Sequence, residues 1–419
     1  MLRIGMLKPL GERDFAVLWA GMFISLIGDG FFVVALAWEV YRLSNSPSAL
    51  ATVLLFASVA MLVTMPLAGA VGDRLDRRWT LVWSSAGSAL ATAAMAGLTL
   101  THTSTLWEIA ALATISAASQ SFFFPVFNAY VPDLVPAGLI SRANALDQFV
   151  RPLAQLLIGP ALSGLIVAAA GAGWAFLVDA LSFAFVGAML LAVRSRPRHP
   201  REDASLLADI REGMRFARSH VWVWGTLVAA AVSLLFFVGP WEVLVPFLIK
   251  NELHGGPAWI GLTFAAGGVG SIVTAVVIGQ TGFPSRHITF MYAGFAAGVL
   301  GVAGFGLATS LWQLLVVGFF ISLCFPAGLI VWQTMLQVLV PPAMRSRVSS
   351  LDWTMSLGLV PISYALTGPA ATLLGARRTL ILGGVIGGIL LGAGLFLPGM
   401  RATERDGSLR EAMHHGAPE

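Results

Sequence analysis

Acids placed in apolar surroundings are the first residues of this chain whose type and position could do chemistry. Asp29 stands between Gly28 and Gly30, near the middle of an apolar run from about Phe15 to Tyr41. A carboxylate at the centre of a bilayer costs roughly 2.5–3.5 kcal/mol on insertion scales. Packing alone does not favour it there, so Asp29 is expected to face a polar cavity. It then either exchanges a proton as access to that cavity alternates, or accepts hydrogen bonds that pack two helices. Glu39 and Glu242 lie near the ends of the first and seventh apolar runs. They either attract protons and cationic solutes or are solvated at the interface. These three acids are the proton-coupling candidates. Asp179 and Glu108 fall within a turn or two of helix starts, where the helix dipole stabilises a carboxylate, and are read as structural. Gln120, Asn128, Gln155, Gln333 and Trp241 are the neutral candidates to line a cavity.

A second group is basic. The stretch Gly69-Ala-Val-Gly72-Asp73-Arg74-Leu-Asp76-Arg77-Arg78 follows the second apolar run. Gly69 lets two helices approach, and Asp73 is an anion suited to a neighbouring helix N-terminus or a cation. Arg142, Arg151 and Arg347 are its candidate partners. Such a relay would latch one end of the molecule and release on switching; the alternative is a basic loop that only sets topology. In the fifth run, Gly159, Pro160 and Gly164 open backbone bonds and permit close packing, which makes either a pliable interface or an ordinary kink.

Other chemistries lack their residues. All seven histidines lie between apolar runs or in the tail, and no HExxH or serine elbow is present, so an enzyme is disfavoured. Neither Lys8 nor Lys250 follows a phosphate-loop glycine pattern, so no Walker A site is expected. The single cysteine, Cys324, allows no internal disulfide. No metal or cofactor is expected beyond a proton gradient as driving force, and no nucleic-acid partner.

The elements that must position these residues are membrane helices. Of 419 residues 57% are hydrophobic and 11% charged, whereas soluble domains carry about 25% charged residues. About 20 apolar residues span the hydrocarbon core as a helix. Twelve runs qualify, near 15–41, 48–71, 79–101, 105–127, 147–170, 174–193, 221–249, 257–281, 288–309, 311–338, 351–374 and 379–398. The first is too long for a signal peptide and is read as a retained helix. Backbone groups inside a bilayer must be satisfied internally, which selects helices over loops. With both termini in the cytoplasm, 21 of the 25 basic residues fall inside and four outside (Arg42, Lys250, Arg377 and Arg378). The Arg377-Arg378 pair is the awkward exception. The reading is a multi-pass inner or plasma membrane protein, monomeric, surrounded by lipid.

An internal repeat halves the chain. Leu134-Val135-Pro136, Ser141-Arg142 and Leu146-Asp147 recur 205 residues later as Leu339-Val340-Pro341, Ser346-Arg347 and Leu351-Asp352. Both copies start on the cytoplasmic side, so the halves are parallel repeats, a transporter architecture. The expected organisation is a six-helix half over 1–193, a cytoplasmic linker over 194–220, a second half over 221–398 and a tail over 399–419. Leu206, Leu207, Ile210, Met214 and Ala217 share one helical face, which predicts an amphipathic helix in the linker.

The loop from Gly69 to Arg78 resembles the signature loop of the major facilitator superfamily: Gly, three residues, Asp, Arg, any residue, Gly and two basic residues. Asp76 stands where that pattern has its second glycine. The Gly159 to Gly164 stretch resembles the superfamily's antiporter motif, with Ser163 in place of one glycine and Gln155 in place of another. Gly28-Asp29, Ala143-Asn144-Ala145 and Arg211-Glu212-Gly213 are similar to the drug-efflux branch that includes macrolide efflux proteins and the enterobactin exporter. The resemblance implies a proton-driven exporter of amphiphilic drugs or secondary metabolites working by alternating access. An importer of a small nutrient on the same fold is the alternative.

Overall fold

The computed structural model describes residues 5–74, 76–193, 206–406 and 409. Among them, twelve helices are long and apolar enough to cross a membrane. They are α1 (Arg13–Leu43), α2 (Pro47–Arg74), α3 (Arg77–Leu100), α4 (Leu106–Leu134), α5 (Arg142–Ala170) and α6 (Ala172–Ala192). After a linker helix, Leu206–Ser219, come α7 (Val221–Glu252), α8 (Pro257–Thr281), α9 (His287–Leu307), α10 (Leu311–Leu339), α11 (Arg347–Leu374) and α12 (Ala376–Gly394). Every expected span is present, and no strand occurs among the described residues. The expected amphipathic linker helix forms from Leu206; residues 194–205, and the tail beyond Asp406 except Leu409, lie outside the described residues.

Local chemistry sets the ends. Asp76 caps α3: its side chain accepts from the main-chain N–H groups of Arg78 at 2.8 Å and Trp79 at 3.4 Å. Thr105 and Glu108 form a capping box at α4, the structural role expected of Glu108, and Ser310 with Gln313 forms another at α10. Gly171 and Gly375, both at positive φ, turn the chain from α5 to α6 and from α11 to α12. The membrane-crossing part of α4, Leu106–Asn128, matches the expected span, and its helix runs on about two turns further, through Pro132. Phe123, Phe127, Tyr130 and Leu134 repeat every three or four residues and bury that face in the core.

By contacts the chain divides into two compact units. The first joins α1–α6 to Pro246–Val269. The second takes the linker helix and the chain up to Val245, then resumes at Gly270. In the first, α1 packs on α5 and α6, and α3 on α4 and α6. In the second, α7 packs on α11 and α12, and α9 on α10 and α12. The same pairings six spans apart are the structural form of the sequence repeat. Each set has its own core, one around Phe15, Leu18, Phe127 and Val186, the other around Trp222, Met291, Tyr292 and Val331.

The awkward Arg377 has a definite task. Its guanidinium donates to the carbonyls of Gly306 at 3.1 Å and Ala308 at 2.5 Å, at the C-terminal end of α9. At the other end of α9, Glu404 accepts from the N–H of Thr289 at 2.5 Å and from its hydroxyl at 3.0 Å. A cation at the C-terminus and an anion at the N-terminus both complement the helix dipole. Arg377→Ala is expected to cost about 1–3 kcal/mol, the scale of hydrogen bonds to a charged group. It should appear as a lower Tm in detergent; an unchanged Tm would show that Arg377 only decorates the helix end.

Candidate functional site

The glycines of α1 decide where Asp29 sits. A Cβ added at Gly21 would lie 3.3 Å from Cα of Val186 on α6. One at Gly28 would come 2.7 Å from Oδ1 of Asp179 and collide with the Ser182 hydroxyl. One at Gly30 would come 2.7 Å from Cα of Gly159 and 2.7 Å from Cδ of Pro160 on α5. The sequence Gly28-Asp29-Gly30 is therefore where α1 is pressed between α5 and α6, and the small residues permit that approach. Asp29 itself is half-buried.

The same crossing brings in Asp179, to which the sequence reading gave a structural role through the helix dipole. Asp179 lies seven residues into α6, about 10 Å along its axis, and the dipole effect fades within the first turn. Its side chain is 0% exposed, and neither carboxylate oxygen has a well-formed hydrogen bond among the described residues, although the Ser182 hydroxyl lies beside them. The neighbouring Ser182 hydroxyl donates instead to the main-chain carbonyl of Asp179 at 2.8 Å. Asp179 is within electrostatic reach of Asp29, and Asp29 of Arg151. Arg151 also pairs with Asp147, one turn earlier on α5, at 3.1 Å. Helices α1, α5 and α6 thus set Asp29 between a second acid, Asp179, and Arg151, which also holds Asp147.

Glu39 sits differently. It is 1% exposed, bound by Arg42 at 2.6 Å, and accepts from the Ser104 hydroxyl at 2.8 Å. Its oxygens are occupied by fixed partners, so it is neither an exposed solute trap nor a solvated interfacial acid. Lys250, in the part of α7 that belongs to the first unit, donates to the Tyr41 carbonyl near the end of α1 and lies over the Trp38 ring.

In the second unit, Glu242 accepts from the Tyr364 hydroxyl at 2.5 Å, linking α7 to α11. One turn before, the Gly239 N–H donates to the Ser363 hydroxyl at 2.9 Å, and that hydroxyl donates to the Leu235 carbonyl at 2.7 Å. The helices are irregular at these places. Pro240–Leu244 and Leu248–Glu252 of α7, and Pro152–Ile158 of α5, are π-helical, and α11 breaks at Leu359. Pro152 and Pro240 each remove a backbone donor from the α-helical ladder, which favours such local rewinding. The π segment of α5 and the break in α11 fall at equivalent places of the repeat.

A cavity of about 230 Å³ opens in the second unit, bordered by Asp352, Gln333, Trp332, Phe325 and Leu329 among others. Of the neutral candidates only Gln333 borders it. Gln120 donates to the Ser116 hydroxyl at 3.2 Å, and Asn128 is exposed. Gln155 lends its carbonyl to the Gly30 contact, and Trp241 packs between Phe237 and Phe305.

Comparisons with known proteins decide the family. The family profile described as transmembrane secretion effector matches residues 4–416. This chain belongs to that family. It is 28% identical to the multidrug efflux pump Tap of Mycolicibacterium fortuitum, covering 94% of this chain and 97% of the relative. It is 21% identical to macrolide efflux protein A of Streptococcus pyogenes, covering 90% and 93%. The crystal structure of a D-xylose–proton symporter superposes with a TM-score of 0.71 at 16% identity over 91% of this chain and 96% of that one. The chain has the major facilitator fold and is a multi-pass cell-membrane transporter of small substrates rather than an enzyme.

The transporter's motifs read differently in place. The side chains of Gly69, Asp73 and Arg74 lie outside the described residues, so the latch acid has no described partner set. The rest of that loop pins α3 within its own unit. Arg77 donates to Asp133 at the end of α4 at 2.5 Å, and Arg78 to the Leu191 carbonyl at the end of α6 at 2.7 Å. The proposed partners are engaged in part. Arg151 holds Asp147, Arg347 holds Glu212 of the linker helix, and Arg142 lies half-buried at the start of α5. Gly213 lets the linker helix approach the Arg347 backbone, which accounts for Glu212 and Gly213 of the Arg211-Glu212-Gly213 sequence. In the antiporter-like stretch, Gly159 meets α1 and Gly164 meets α8, where an added Cβ would lie 3.1 Å from Cα of Gly261. Ser163, which departs from the motif, spends its hydroxyl on the Phe31 carbonyl at 2.9 Å. The motif is a junction of three helices.

Proposed function

We propose that this chain is a proton-coupled exporter of amphiphilic drugs or secondary metabolites, working by alternating access as a monomer with both termini in the cytoplasm. The observation that carries the coupling is the fully buried Asp179 beside Asp29, with the neutral Ser182 hydroxyl next to its carboxylate. Intramembrane acids that face the bundle interior mark proton pathways. Asp29 stands between a second acid and an arginine that also holds Asp147, so the charge state of the group can change as a proton enters and leaves. Glu242 is a second place for a proton, since its Tyr364 partner is neutral. Glu39 fits a structural role better. The π-helical stretches of α5 and α7 supply joints at which spans can rewind, and the names of the relatives supply the direction, export.

The experiment is reconstitution. Protein in vesicles should move an amphiphilic dye such as ethidium against its gradient when a proton gradient is imposed across the membrane. Dye movement unchanged by collapsing that gradient would end proton coupling. Accumulation in the opposite sense, with the proton gradient rather than against it, would make the chain an importer.

A further inference from the structure

The sequence repeat marks one position at which the two halves differ in charge. Asp147 recurs as Asp352, and by the same interval of 205 residues Arg151 recurs as Ser356. In the first unit the acid has its arginine, one turn away on α5 at 3.1 Å. In the second unit the acid keeps its place one turn before Ser356, but the counter-cation is gone. Asp352 has no arginine or lysine partner among the described residues. Its carboxylate takes neutral hydrogen bonds, from the Trp332 indole N–H at 3.2 Å and from Gln333.

The acid also opens on something. Asp352 and Ser356 both border the second-unit cavity, with Trp332, Trp353, Phe295 and Phe325 around them. Aromatic faces attract cations, and a carboxylate among them without a counter-cation completes a site for positive charge. At about 230 Å³ the cavity is smaller than the roughly 300–1,000 Å³ of drug-sized sites, so it suits a head group rather than a whole amphiphile.

We propose that this cavity binds the cationic head of an amphiphilic substrate, which takes at Asp352 the place that Arg151 holds at Asp147. The inference rests on the export reading for its setting and narrows the substrate class to organic cations.

The test uses two head-group-sized probes of matched shape: choline, a permanent quaternary cation, and its neutral carbon isostere 3,3-dimethylbutan-1-ol. Binding is measured by calorimetry on the purified full-length chain. The wild type should prefer the cation by about 10-fold to 100-fold, the scale of a hydrogen-bonded charge. Asp352→Asn, which keeps the shape and the Trp332 contact, should bring that ratio close to one. Ser356→Arg, which restores the internal partner, should do the same. Both variants are compared at matched elution profile, so a misfolded one leaves the other to decide. An undiminished ratio in both folded variants, or in whichever one folds, overturns the proposal, as does a wild type without cation preference. The two readings fail separately. Vesicles that pump a neutral amphiphile while the chain shows no cation preference sink this inference and keep export. Cation binding lost in Asp352→Asn, from a protein that moves no amphiphile in vesicles, keeps the site and sinks export.

Discussion

Asp29→Asn is expected to bring gradient-driven dye transport down to the leak of protein-free vesicles while leaving the folded yield unchanged. Asn has nearly the shape of Asp and can still hydrogen-bond, but it cannot carry a proton. The pressed crossing of α1 with α5 and α6 should survive, because Gly28 and Gly30 make it, not the carboxyl group. Wild-type rates in Asp29→Asn would remove this acid from the mechanism, and a collapse of yield would give it a packing role instead. Asp179→Asn is the companion measurement. If Asp179 shares the proton with Asp29, its loss should change the pH at which transport is half-maximal. A buried acid that only packs α6 against α1 would leave that profile in place.

Much of this architecture could be read before any coordinates, because the bilayer imposes one length and one solution on each span. Apolar runs broken by Gly, Pro and charge therefore found all twelve helices. The failures are local and physical. The helix of α4 outlasts its expected span because buried aromatics on one face carry it through Pro132. The π-helical stretch of α5 and the first in α7 begin at Pro152 and Pro240, but a proline alone does not tell a π segment from an ordinary kink.

The candidate site was half visible. Asp29 and its glycines stood out because a charge amid apolar residues needs a reason. Asp179 carried the same signal, as the one charge in α6, and was explained away by a helix dipole that does not reach it. Glu39 looked equally promising, but its partner Ser104 lies 65 residues on, a contact that spacing cannot reveal. Asp352 was seen as a repeat marker. What makes it a site is the missing arginine at Ser356, and that comparison needed the Asp147–Arg151 pair to be seen formed.

Gly30→Ala is the second change with a large expected effect, and it separates motion from stability. The added methyl would sit 2.7 Å from both Cα of Gly159 and Cδ of Pro160, and 2.9 Å from the Gln155 carbonyl. None of these is the end of a flexible side chain, so α5 itself must move away from α1. Overpacking of this kind costs about 1–3 kcal/mol, which a twelve-span protein can survive with a lowered Tm. Transport should suffer more than stability, because the part of α5 that must yield adjoins its π-helical segment, the same joint that switching would use. Gly97→Ala on α3 is the control: its Cβ meets nothing within 4 Å, and Ala is the better helix former. Gly159→Ala attacks the same contact from the other side, within 2.8 Å of Cα of Gly30. Once either methyl has parted the two helices, the second has less to displace. The double variant should therefore cost less than the two single losses together. Gly30→Ala with the Tm and dye flux of Gly97→Ala would mean that the α1–α5 crossing is loose, and the idea of a joint pressed at Asp29 would fall with it.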